Sequence, residues 1–220
     1  KYSLKDYLDG NLALEDVMFS TSDGVNYISG GSGMSSLMDW SPVVFSRLIT
    51  GLETLQKEYD FVLFDMGAGI VEWSLDLLTS LDELIVISTA EPTSIMDAYS
   101  MMKFIHLKDE SKTFYILCNR AFNVEEGQDT TKRLKTVMER FLEKEVVVLG
   151  SLPEDPVVRQ AVRQQSLFTT LYPDAPITQT MHKIVKQFLS HQVVMEEVHA
   201  AEKSNKFLSK LKSIFSKGRE

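Results

Sequence analysis

The feature that most constrains this chain is a rhythm: short runs that are apolar throughout alternate with stretches of helical periodicity. Phe61–Asp65, Glu83–Ser88, Thr113–Cys118 and Val146–Leu149 are the clearest runs. A strand that is apolar on both faces is buried on both faces, and the helices between such strands supply the cover. The expected fold class is therefore α/β, a mostly parallel sheet flanked by helices, with right-handed crossovers. Ser41-Pro42 reads as an N-cap followed by a first helical residue, opening a helix that runs to about Lys57. Further helices are expected over 71–79, 92–106, 125–142 and 156–164, and from about Ile177 onward. Short helices at Leu4–Leu8 and Leu12–Met18 and a strand at Val25–Ser29 precede them.

Several classes are disfavoured at once. No run of about 18 apolar residues is present, so no spanning helix is expected. Cys118 is the single cysteine, which rules out an internal disulfide and a cysteine-built zinc site; inside FYILC it reads as a buried, inert thiol. The four histidines, His106, His182, His191 and His199, show no ligand spacing. The net charge of −8 argues against general nucleic-acid binding, and no specific nucleic acid is expected. That charge is unevenly spread. Lys203, Lys206, Lys210, Lys212, Lys217 and Arg219 form a tail of about +6 without an acid, which leaves the rest of the chain at about −14.

In open parallel sheets, ligands bind beyond the C-terminal ends of the strands. The run 61–65 ends on Asp65, followed by Met66-Gly67-Ala68-Gly69. Such an end serves equally as a plain turn, or as an acid for a magnesium-bound water beside glycines that let backbone N–H groups approach a phosphate. The run 113–118 ends in Asn119-Arg120, and the run 146–149 leads to Pro153-Glu154-Asp155-Pro156. Taken singly, these are cap and turn residues.

Taken together they are more specific. DFVLFDMGAG, STAEPTSIMDAY, LCNRA and GSLPEDPVVRQAVRQQ, in this order and spacing, resemble the MinD/ParA group of deviant Walker ATPases, a P-loop NTPase family. Within it the likeness is to the FlhG-type regulators of flagellar number and placement. The resemblance implies ATP or ADP with Mg2+ as ligand. It implies Asp65 as the switch acid acting through water on magnesium, with Gly67 and Gly69 in the γ-phosphate-sensing loop. It implies Asn119 on the adenine edge, Arg120 beside the base, and Pro153, Glu154 and Asp155 along its other side. The partners it implies are a second copy of the chain in the ATP-bound state, an FlhF-type GTPase and flagellar switch-complex proteins.

The family's phosphate-cradling loop, with its signature Lys, and the Asp of switch I do not appear in this sequence. Ser29–Ser36, SGGSGMSS, imitates such a loop, but Met34 stands where a phosphate-binding Lys is needed, and the next basic residue is Arg47. Phosphate charge there would be uncompensated, so the stretch reads as a surface loop. In the family the phosphate-loop strand is internal to the sheet. The expectation is therefore a protein whose phosphate-binding segment lies outside these 220 residues.

The organisation expected is a MinD-like ATPase domain over 1–200 and a targeting tail over 201–220. In the tail, Phe207, Leu208, Leu211, Ile214 and Phe215 fall on one helical stripe flanked by Lys206, Lys210, Lys212 and Lys217. This amphipathic C-terminal helix suits an anionic membrane surface, where lysines meet lipid phosphates. The other setting is packing on its own domain or on another chain. The resemblance favours the membrane and implies a cytoplasmic protein peripherally bound to the inner face of the cell membrane. The rival is a non-catalytic adaptor that uses a protein-binding surface and the same tail.

Overall fold

The computed structural model describes residues 2–30, 41–67, 72–199 and 206–217. The chain divides into two compact units, Lys1–Ala68 and Gly69–Glu220.

The first unit opens with helix α1 (Leu4–Leu8), whose start is tied by Asp6, which accepts from the Ser3 backbone N–H at 2.8 Å. The helix expected over 12–18 is instead a single 3-10 turn, Glu15–Val17, running straight into β1 (Met18–Ser20). β1 pairs antiparallel with β2 (Asn26–Ile28). Helix α2 (Pro42–Glu58) starts as its Ser-Pro signal requires, with the Val44 N–H donating to Ser41 Oγ at 3.3 Å. Tyr7 and Arg47 lock α1 to α2: Tyr7 Oη donates to the Arg47 carbonyl at 2.8 Å, and the Arg47 guanidinium donates to the Leu8 carbonyl at 3.1 Å. Phe61–Asp65 is not a strand. It joins neither of the two sheets formed by the described residues, and Phe61 and Leu63 are 53% and 84% exposed. Apolar composition suits a strand, but a strand exists only where a neighbour takes its backbone hydrogen bonds.

The second unit carries the parallel sheet. Helix α3 (Glu72–Ser80) leads to β3 (Glu83–Ser88), α4 (Pro92–Lys108), β4 (Thr113–Ala121), α5 (Val124–Leu142) and β5 (Val147–Pro153). The three strands lie in the order β3-β4-β5, all parallel. Residues Phe114 to Cys118 of the central strand are buried on both faces. Helices α4 and α5 cover one face with Met102, Ile105, Leu134 and Met138. On the other face Tyr115, Leu117, Leu149 and Leu152 pack with Ile184 and Phe188 of α8 (Pro176–His199). Helices α6 (Pro156–Arg163) and α7 (Phe168–Leu171) connect β5 to α8. At the foot of the sheet, Tyr115 Oη sits 2.9 Å from His191 Nδ1 and accepts from Gln192, which also donates to Glu83. Burial, then the charge of Glu83, pushes the Tyr115 hydroxyl up to about 12.

The sheet is not covered on both faces throughout. Register puts Ile85 and Ile87 on the face of Tyr115 and Leu117, yet they are 44% and 58% exposed, because α8 lies over β5. Among the described residues the outer edge of β3 has no partner strand.

Helix α9 (Lys206–Lys217) packs against α3. Phe207, Leu208 and Leu211 are almost fully buried, so this part of the apolar stripe faces its own domain, the second of the two settings weighed above. Lys210 Nζ pairs with Asp109 Oδ2 at 2.7 Å. The side chains of Lys206, Ile214 and Phe215 lie outside the described part of the structure.

Two predictions follow from this packing. A Cβ at Gly127 in α5 would lie 2.4 Å from Ser151 Oγ and 3.2 Å from Ala121 Cβ. Gly127→Ala gains about 1 kcal/mol of helix propensity but loses ~1–3 kcal/mol to overpacking. Urea melts are expected to show a net loss, with Ser151→Gly recovering part of it in the double variant. The second concerns pH. Burial pushes the Asp109 carboxyl up, but hydrogen bonds from Lys210 and Ser111 and the Lys210 charge outweigh it and hold it at about 2. With the carboxyl lowered from 3.8, its contribution is complete above that value and fades as pH falls towards 2. Amide shifts of α9 should be constant from pH 7 to about 5 and move only below about 4.

Candidate functional site

The C-terminal ends of β4 and β5 gather five of the residues singled out in the sequence. The ladder between these strands shifts register between Cys118 and Ala121 and resumes at Ala121 and Pro153. Within that shift Arg120 takes a left-handed backbone, φ +59°, which swings its side chain out of the sheet to 65% exposure. The Asn119 side-chain oxygen accepts from the Arg120 N–H at 3.0 Å and holds the bend. Arg120 Nε donates to Glu154 Oε2 at 2.6 Å, while the Glu154 N–H donates to the Ala121 carbonyl at 2.9 Å. The hydrogen bond from Arg120 holds the Glu154 carboxyl below its ordinary range. Asp155 caps α6 by accepting from the Val157 N–H at 3.0 Å, ahead of Pro156 at the first helical position.

Asn119, Arg120, Pro153, Glu154 and Asp155 thus form one rim across two adjacent strand ends. A carboxamide, a guanidinium and a carboxylate stand there at the mouth of a parallel sheet, a set suited to the edge and faces of a planar heterocycle. The end of β3 is tied beside it: Ser94 Oγ accepts from the Thr89 N–H at 2.9 Å and lies 3.2 Å from Ser88 Oγ.

Asp65 and Gly67 belong to the first unit, where both are exposed. Among the described residues nothing lies within reach of a side chain placed at Gly67. Gly69 lies outside the described residues, as do positions 31–36 of the glycine-rich imitation loop. Among the described residues no group of three or more His, Cys, Asp or Glu is placed to hold a metal.

Other features of the rim escape a sequence reading. Asn123 and Glu126 cap α5 reciprocally: the Glu126 N–H donates to Asn123 Oδ1 at 2.8 Å, and Glu126 Oε2 accepts from the Phe122 N–H at 2.6 Å. The N-x-x-E spacing signals such a cap. The cap lifts Phe122 and Val124 out beside the rim, 86% and 69% exposed.

No family model matches the chain. The antiactivator FleN of Pseudomonas aeruginosa is 30% identical over 173 residues, covering 79% of this chain and 62% of FleN. The flagellum site-determining protein YlxH of Helicobacter pylori is 24% identical over 184 residues, 83% of this chain and 62% of YlxH. The chain thus spans less than two thirds of either relative. The septum site-determining protein MinD of Pyrococcus horikoshii, solved with Mg-ADP, superposes with a TM-score of 0.64 at 22% identity, over 86% of this chain and 73% of that one. The chain has the MinD-like α/β fold. Its sequence is similar to those of MinD/ParA-like ATPases, with the likeness on the FlhG-type side.

The bend at Arg120 is testable. Arg120→Val puts a β-branched residue in a left-handed backbone and is expected to lose ~1–2 kcal/mol. Arg120→Gly, which accepts that backbone freely, is expected to fall well short of this loss in urea melts, although both lose the pair with Glu154.

Proposed function

We propose that this chain is the sensing and base-binding part of an FlhG-type ATPase that binds ATP with Mg2+, dimerises when ATP-bound and regulates flagellar number or placement. The observation that carries the reading is the single rim formed by Asn119, Arg120 and Pro153–Asp155 in a chain of MinD-like fold. Asn119 would turn its carboxamide to the adenine edge, giving up its hold on the Arg120 N–H. Arg120 and the Pro153–Asp155 segment would flank the ring. Asp65 would accept a hydrogen bond from a metal-bound water, with Gly67 and Gly69 sensing the γ-phosphate side. The bound magnesium supplies charge neutralisation of the phosphate oxygens.

In this reading the phosphate cradle belongs to a part of the protein beyond these residues. Support comes from the open edge of β3 and the exposed Ile85 and Ile87, which leave a place for a further strand and its cover. The longer relatives leave room for such a segment. The reading further assigns residues 201–220 as a tail that meets anionic lipid, making the protein a cytoplasmic one bound peripherally to the inner membrane face. No helix among the described residues is long and apolar enough to cross a membrane. An FlhF-type GTPase and flagellar switch-complex proteins are the partners it assigns.

Calorimetry with ATP and Mg2+ on this chain and on an N-terminally extended form tests the reading. Binding only by the extended form is the expected result, with Asn119→Ala weakening it about tenfold to a hundredfold, the loss of ~1–3 kcal/mol of hydrogen bonding. No binding by either form would leave the non-catalytic adaptor in its place.

A further inference from the structure

The two walls of the rim are bonded to each other. Arg120, at the end of β4, and Glu154, beyond the end of β5, meet across it with Nε 2.6 Å from Oε2. A planar ring with a contact on each face needs its neighbours roughly 7 Å apart, two van der Waals separations of about 3.5 Å. No ring stands between atoms 2.6 Å apart, so this pair closes the slot between the side chains that would flank one. A second hold acts on the same residue. Asn119 Oδ1 accepts from the Arg120 N–H at 3.0 Å and keeps the left-handed bend, φ +59°. The frame beneath is separate from both. There the Glu154 N–H donates to the Ala121 carbonyl at 2.9 Å, where the ladder between the strands has resumed. The mouth therefore opens by rotation of side chains, with the strand ends staying in register.

We propose that the Arg120–Glu154 pair is a latch over the base slot, shut while the slot is empty and displaced by the ring of an entering nucleotide. Its strength suits that task. Both side chains reach solvent, Arg120 at 65% and Glu154 at 37% exposure, and an ion pair so placed is weak and screened by salt. Opening strands neither half. The charge of Glu91, the residue that precedes α4, also acts on Arg120, and that of Arg159 in α6 acts on Glu154. The guanidinium released from the carboxylate keeps a planar face, which stacks on a ring. The two holds are linked, since a base that draws the Asn119 carboxamide away loosens the bend at Arg120 at the same time. A phosphate chain without a base has nothing to place in the slot and leaves the latch shut. That a base enters here at all rests on the function proposed above.

Calorimetry of the N-terminally extended protein with Mg2+ and either ATP or inorganic triphosphate tests the latch. Glu154→Gln keeps the size of the side chain and removes the charge that holds Arg120. It is expected to bind ATP about twofold to fivefold tighter, the scale of one exposed ion pair. Triphosphate, which has no ring, is expected to bind the variant as it binds the parent protein. The gap between variant and parent in ATP affinity should close as potassium chloride rises towards about 1 M, where the Debye length is about 3 Å and the pair is screened. Weaker or unchanged ATP binding by Glu154→Gln overturns the latch and leaves the base-binding reading standing. Equal tightening of ATP and triphosphate overturns it too, because the lost charge then acts on phosphate and not through the slot. Absence of ATP binding by the extended parent protein overturns the base-binding reading and the latch with it.

Discussion

The structure of the second unit depends on β4. Among the described residues it is the strand of the sheet with a partner on each edge and helices on each face, and its residues from Phe114 to Cys118 are buried throughout. A strand in that position has no solvent to fall back on, so every backbone group must find a ladder partner and every side chain a packing partner. That double constraint explains why FYILC is apolar at consecutive positions rather than alternating. It also fixes where the strand can end. The first residue free to leave the ladder is Asn119, and the left-handed turn at Arg120 uses that freedom to bring a guanidinium onto Glu154 of the neighbouring strand end.

The edges behave differently because they are less constrained. β5 is held by α5 on one face and α8 on the other, and tolerates a bulge near Gly150, whose φ of +128° suits a residue without Cβ. β3 has a partner on one side only among the described residues, and Ile85 and Ile87 are exposed although all four central side chains, Leu84 to Ile87, are aliphatic. An open edge beside exposed isoleucines is a surface that proteins ordinarily cover. The exposed Phe61–Leu63 in the other unit carries the same signature, strand-like composition without a ladder.

Much of this was legible because the signals are local. Glu83–Ser88 ends where its apolar run ends, and Ser41-Pro42 and Asp155-Pro156 open helices as cap chemistry dictates. The rim residues were legible as strand ends and were singled out as a candidate site only by resemblance, since an Asn or an Asp-Pro alone is ordinary turn chemistry. What failed to show is what depends on a neighbour. Phe61–Asp65 has as good a strand sequence as β3, but pairing is not encoded in one strand. Gly127 looks like a weak point in a helix until Ser151 is placed against it. The periodicity of 204–217 revealed a stripe and its width, and said nothing of what the stripe would touch.

That last ambiguity is physical rather than a defect of reading. Burying Phe207, Leu208 and Leu211 is worth roughly 1.5–3 kcal/mol each whether the cover is α3 or the acyl region of a bilayer. The apolar contribution therefore nearly cancels between the two settings, and the balance passes to smaller contributions. On the docked side that is the charge pair at Asp109; on the other side it is lipid charge and, in a dimer, the effective concentration that a second tail brings once the first is seated. A helix whose main driving force is indifferent to its partner is well placed to be moved by a contact worth about 1–2 kcal/mol.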